Sequence, residues 1–246
     1  MSPFAHYHGG PITPGRVARE VWGRAFVSFA YPQQTAIAQE CATSYALDNG
    51  AFSAWTKGKP LDVPGFIAWV RVTHAARPID FAIVPDVIDG TDADNDALLI
   101  GWPDNLPGSP VWHLHETVDR LARLCAETAA GRWERVCFGS SGQYATPGNA
   151  AWWARMGGAM DAICDADGTP PCRLHGLRML DPAILVRLGG FASADSTNVA
   201  RNHNRQSKRG ETPQNFARYI ERHVPPARWK RDLQRTLFAA NAAAPR

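Results

Sequence analysis

The strongest constraint on how this chain folds is an alternation of short apolar runs with stretches of helical periodicity. The runs are AFVSFA (25–30), SYALD (44–48), DFAIVPD (80–86), PVWHLHE (110–116), RVCFGSSG (135–142), CRLHGL (172–177) and GFASAD (190–195). Between them, residues 117–130 put Val118, Leu121, Leu124 and Cys125 on one helical face, and residues 149–164 do the same with Trp152, Trp153, Met156, Met160 and Ile163. Strands alternating with helices at this spacing imply βαβ units and a parallel sheet. Seven strands are visible, and FAHYHGG near the start supplies an eighth, its turn opened by Gly9 and Gly10. The expectation is an α/β fold: a compact (β/α)8 TIM-like barrel over residues 1–200, preferred to an open doubly wound sheet. A basic helical extension over 201–246 is expected to pack on the barrel. In it, Thr212 and Pro213 read as an N-cap and first helical position, with Phe216, Ile220 and His223 on one stripe.

The length of 246 residues, 45% hydrophobic and 20% charged, suits one soluble α/β barrel. No run reaches the roughly 18 apolar residues of a membrane span, and MSPFAHYHGG does not read as a signal peptide. Five cysteines, with no CxxC pair, read as reduced thiols in a cytoplasm rather than as a zinc knot. The net charge of +3 is unevenly spread, with ten Lys/Arg against three Asp/Glu between residues 201 and 235. Such a segment suits either an anionic partner, with nucleic acid foremost, or a solvated helical face.

Each apolar run ends in polar or glycine residues: Asp48, Asp86 with Asp89, His113 with His115 and Glu116, FGSSG, HGLR and ADSTN. In a parallel barrel these strand ends share one mouth, where active sites lie. A single aspartate there is ordinarily a helix cap; six polar ends together point to a site. Two chemistries can be built from them. Two carboxylates, Asp48 and Asp195, can divide glycosidic-bond work between a nucleophile and an acid/base. Alternatively His113, His115, His175 and an aspartate can bind a metal that activates water. The chain order of HxH and aspartate does not match that of amidohydrolase barrels, and hydrogen bonding within the pocket is the preferred reading of His113 and His115. Phe52 and Trp55 can stack on a base, although their apolar helix start favours core packing.

Taken in order, LDNGAFSAW, FAIVPDVIDG, WHLHE, FGSSG, HGLRML and SADSTNVARN resemble the tRNA-guanine transglycosylase family, and most closely its phage-borne branch that places 7-deazaguanines in DNA. The resemblance spans residues 44 to 202 and rests on the order of short motifs. It implies a glycosyltransferase that exchanges guanine for a 7-deazaguanine such as preQ0, with no cofactor and no metal. Asp195 is the implied nucleophile on C1′ and Asp48 the general acid/base. Asp86 would read the purine edge, with His115 or Glu116 in place of a family glutamine; Gly139 and Ser140 amides would hold O6, and His175 would also line the base site. Asn198, Arg201, Asn202, Arg205, Lys208 and Arg209 would meet the nucleic acid.

The family's zinc subdomain follows its second aspartate, and no cysteine follows Asp195 here. That departure favours DNA over tRNA as partner. The resemblance also implies a phage- or prophage-encoded protein acting in a host cytoplasm, with no membrane partner. An N-glycosidase acting on a modified purine remains the rival enzyme; a barrel that only binds nucleic acid is a third reading. The choice between monomer and homodimer is not legible.

Overall fold

Every predicted run contains a parallel strand in the computed structural model, which describes residues 4–207 and 211–231. The strands are β1 (Ala5–Gly9), β2 (Arg24–Ser28), β3 (Ser44–Asp48), β4 (Ala82–Ile83), β5 (Gly108–Ser109), β6 (Val111–His113), β7 (Val136–Gly139), β8 (Leu174–Gly176) and β9 (Ser193–Ser196). They form one nine-stranded, all-parallel sheet in the order β5-β4-β3-β2-β1-β9-β8-β7-β6. Its two ends, β5 and β6, are separated in the chain by Pro110 alone. Proline has no N–H to give a ladder, so the strand breaks there while its flanks stay in place. Val84 N–H donates to the Ser109 carbonyl on one side, and Cys137 N–H to the Pro110 carbonyl on the other. The sheet is therefore barrel-like and nearly closed, compatible with a TIM-like barrel.

The strands are shorter than the apolar runs. The polar tails of DFAIVPD, PVWHLHE and RVCFGSSG leave the ladder and form the loops above the sheet. Ten α-helices lie among the described residues. The two expected from periodicity span Val118–Ala129 and Ala150–Ile163, here α6 and α7, each N-capped by a side chain that accepts a backbone N–H: Thr117 from Arg120 and Asn149 from Trp152. The main core lies between helices and sheet, where Trp22, Phe66, Trp112, Leu121, Trp152 and Met156 are fully enclosed. A second cluster fills the barrel interior with Tyr7, Phe26, Ala46, Phe81, Ile83, Val111 and Cys137, alternate residues on their strands. All five cysteines are free thiols. Among the described residues no helix is long and apolar enough to cross a membrane.

The C-terminal region forms two described helices, α9 (Asn198–Ser207) and α10 (Pro213–Glu221). Thr212 caps α10 as expected, accepting the Asn215 N–H at 3.1 Å, and Pro213 occupies its first position. Helix α9 runs across the 200/201 boundary that sequence suggests. Ile220 is wholly buried and Phe216 packs against the core, so two residues of the expected stripe face the barrel. The HYHGG strand explains the docking. The alternate residues His6 and His8 turn outward from β1, and His8 Nε2 meets Glu221 Oε1 at 3.0 Å. His6 Nε2 donates to the His223 carbonyl at 2.8 Å.

Because Ile220 sits in the common core, Ile220→Ala should cost about 2–5 kcal/mol of unfolding free energy. Chemical denaturation should still give a single transition; a separate early transition would show that α10 folds apart from the barrel.

Candidate functional site

The strand alternation that fills the barrel interior also selects which polar residues enter its mouth. Ala46 on β3 is an interior residue, so Asp48, two positions on, points the same way. The next turn, Asn49–Gly50, needs Gly50 at φ +77° to start the helix α3 (Ala51–Thr56). The Ser28 hydroxyl and the Gly50 amide favour the ionised form of Asp48. Burial nevertheless raises its pKa to about 6, and the neighbouring charges of Asp195 and Asp86 add to the rise. Three carboxylates from β3, the loop after β4, and β9 thus act on one another across a single mouth.

Asp195 is almost fully buried. Its Oδ1 accepts from His175 Nε2 at 3.2 Å and from the Arg178 N–H at 3.1 Å. Arg178 reaches it by adopting φ +61°, the sole non-glycine with positive φ among the described residues. Asp195 Oδ2 accepts no hydrogen bond among the described residues. One oxygen is held and the other is open.

Asp86 is held from two sides: Asn49 Nδ2 donates to Oδ1 at 2.6 Å, and His113 Nε2 meets Oδ2 at 2.8 Å. Each carboxylate oxygen keeps a second lone pair for a ligand. His113 is buried and packs so tightly on Gly139 that a Cβ there would lie 2.6 Å from its Nδ1. His115 stacks on His113 with ring centroids 5.6 Å apart, and bonds the Ser141 hydroxyl at 2.9 Å and the Gly90 carbonyl at 2.8 Å. These are the pocket hydrogen bonds expected of the two histidines. His175 lies a layer deeper, wholly buried beneath Asp195, so it contacts the nucleophile candidate rather than the base site.

Two expectations need correction. Glu116 does not face a ligand: its wholly enclosed carboxylate is taken up by Arg120 (2.6 Å), Asn95 (2.7 Å) and the His113 N–H (2.8 Å). That network braces α6 against β6 and the helix α5 (Asp92–Ile100), and the carboxylate, with no exposed surface, cannot meet a base. Phe52 and Trp55 are not core residues either. They are 45% and 51% exposed, 5.8 Å apart, with the Arg178 guanidinium 4.9 Å above Phe52. The Ser140 hydroxyl accepts from Trp152 Nε1 at 2.9 Å.

Beside the mouth, Asn198, Arg201 and Asn202 line a cleft of about 500 Å³ together with Arg178 and Thr197. Three of the expected nucleic-acid contacts therefore share a cleft with Arg178, whose backbone N–H donates to Asp195. Arg205 lies on α9, but its side chain is outside the described residues, as are Lys208 and Arg209. No group of three or more His, Cys, Asp or Glu among the described residues is arranged to hold a metal ion; His113, His115 and His175 each bond different partners.

Sequence reasoning missed Asn49, Arg178 and Ser28. Asn49 carried a signal, standing beside Asp48 in LDNG; Arg178 and Ser28 are brought in by backbone geometry and strand register. No family model matches this chain, and no curated protein is similar to it.

The raised carboxyl of Asp48 has a consequence for stability. Its folded pKa, about 6, lies above the ordinary 3.8, so its contribution is fully present below pH 4 and is lost as pH rises through 6. A shift of this size corresponds to on the order of 1–3 kcal/mol. Asp48→Asn should therefore stabilise the protein by that amount at pH 7.5 and by little at pH 4, as read from denaturation at both pH values.

Proposed function

We propose that the protein is a base-exchange transglycosylase that replaces guanine in nucleic acid by a 7-deazaguanine through an aspartyl-glycosyl intermediate. The observation that carries this reading is the pairing of unlike carboxylates in one mouth. Asp195 is held by one oxygen with the other open, and Asp48 is shifted to about 6, where it can hold and release a proton near neutrality.

In this reading the fold is a (β/α)8 barrel whose fifth strand is β5 and β6 joined through Pro110. The register supports it. Following pairings from Ser196 to His8, Ala25 and Tyr45, and on round the ring by the same offsets, the count returns to position 188, eight positions before its start. A stagger of eight is the value for such barrels. It amounts to one residue per strand, so Asp195 and Asp48, three strands apart, fall in adjacent layers.

The chemistry follows from the two roles. A guanosine nucleotide is flipped out of its stack into the mouth. Asp195 Oδ2 attacks C1′ while the C1′–N9 electron pair leaves with guanine, and Asp48 gives N9 its proton. The 7-deazaguanine then enters and its N9 proton passes to Asp48. N9 attacks C1′, the ester breaks, and its electron pair returns to Asp195. No other reactant is required. Asp86, fixed by Asn49 and His113, reads the donors on the purine edge, and Asn198, Arg201 and Asn202 hold the backbone beside it. The aromatic pair Phe52 and Trp55 suits a neighbouring unstacked base. DNA is favoured over tRNA because the residues present after Asp195 hold no cysteine for the family's zinc subdomain.

The test uses duplex DNA, single-stranded DNA and tRNA carrying labelled guanine, incubated with protein and a panel of 7-deazaguanines. Acceptor-dependent loss of label, abolished by Asp195→Ala, is the expected result. Release without acceptor would instead establish the N-glycosidase, and retention of label in all three nucleic acids would overturn the proposal. In single turnover, guanine release should slow about tenfold per pH unit above about 6, as Asp48 loses the proton that the leaving base needs.

A further inference from the structure

Beneath the mouth, a line of buried polar groups crosses the otherwise apolar barrel interior. Arg135, at the barrel floor, donates from one terminal nitrogen to the Ser193 hydroxyl oxygen at 2.9 Å. Ser193 Oγ lies 2.8 Å from His175 Nδ1, and His175 Nε2 lies 3.2 Å from Asp195 Oδ1. All four residues are buried, between 0% and 6% exposed. The rings of Tyr7, Phe26 and Phe81 wall in the imidazole at 5.8, 5.7 and 5.1 Å, and the Arg135 guanidinium stacks 3.9 Å from Phe81.

We propose that Arg135 and Ser193 set the tautomer of His175, and that His175 in turn aims Asp195, so that the three act as positioning residues with no share in proton transfer. The proposal rests on the reading of Asp195 as nucleophile. Its logic is donor counting. A guanidinium can only donate, so Ser193 Oγ accepts from Arg135. With Nε2 on the acceptor-only carboxylate of Asp195, a neutral ring has a bare Nδ1, and the Ser193 hydroxyl turns its hydrogen to it. Nδ1 then accepts, and the ring proton sits on Nε2, where it donates to Asp195. Each bond in the line points upward and ends on Oδ1. The Arg178 amide donates to the same oxygen, so both bonds fall on Oδ1 and Oδ2 accepts none among the described residues.

The same polarity makes the line a dead end for protons. Arginine does not deprotonate in proteins, so the lower end of this line can neither take up nor supply one. Burial, which lowers the basicity of His175, keeps the ring in the neutral form that this arrangement needs. A hydrogen-bonded group in such a low-dielectric interior is held more strongly than in water. Proton traffic is left to Asp48, and His175 serves only geometry.

The experiment combines a spectrum with kinetics. Nitrogen-15 NMR of histidine-labelled protein, with the His175 signal assigned through His175→Gln, should show a neutral ring protonated at Nε2. In Ser193→Ala that signal should move toward a mixture of tautomers, and kcat for base exchange should fall about tenfold with KM within about twofold. Ser193→Thr, which restores the hydroxyl, should restore both. His175→Gln keeps a donor toward Asp195 and should retain more activity than His175→Leu, expected to lose about a hundredfold. An Nδ1-protonated or doubly protonated His175 in the wild type would overturn the proposal, as would a Ser193→Ala protein unchanged in spectrum and kcat. Were the wild-type protein inactive in exchange, the functional reading would fall and the spectrum alone would decide the tautomer relay.

Discussion

A parallel sheet curled until its ends nearly meet forces every second side chain inward, and everything notable about this protein depends on that. Below the rim most inward positions are apolar, with Phe26, Phe81, Ile83 and Val111 filling the interior around the buried line of Arg135, Ser193 and His175. At the rim the same alternation delivers Asp48 and Asp195 into the mouth. Neither is a helix cap. They share a mouth because they continue interior rows, Asp48 above Ala46 and Asp195 above Ser193, and a one-residue slip would turn both toward the helices.

Gathering carboxylates in a poorly solvated mouth is costly, and the surrounding groups show how the cost is managed. Asp86 is offset by Asn49 and His113, and Asp195 by His175 and the strained Arg178 amide. For Asp48 burial outweighs the hydroxyl and the amide that favour its ionised form, and its pKa rises to about 6. This inequality makes the carboxylates of one mouth unlike each other, and the proposed base exchange rests on that difference. By contrast Glu116, equally enclosed, is fully satisfied by Arg120, Asn95 and a backbone amide and works as a brace between helices.

Much of the architecture was legible because periodicity reports burial directly. The runs around Tyr45, Ile83, Phe138 and Leu174 had to be strands buried on both faces, and Thr212–Pro213 had to begin a helix. The residues at the rim were harder to read. A polar residue after a strand looks the same whether it turns into the barrel mouth, as Asp195 does, or toward an internal arginine, as Glu116 does. Phe52 and Trp55 looked like core because aromatic residues usually are, yet α3 turns both toward solvent at the mouth.

By itself the sequence determined the element order, the parallel sheet, the helix caps and the two aspartates as members of one rim, since local periodicity and strand-end chemistry suffice for these. Only the tertiary structure decided how each carboxylate differs from the next. Those differences arise from partners far apart in the chain: Arg135 and Ser193 beneath His175, Ser28 beside Asp48, and His8 and Glu221 joining the C-terminal helix to the first strand. Electrostatic environment depends on distance and burial in three dimensions, and neither is encoded in the spacing of residues along one chain.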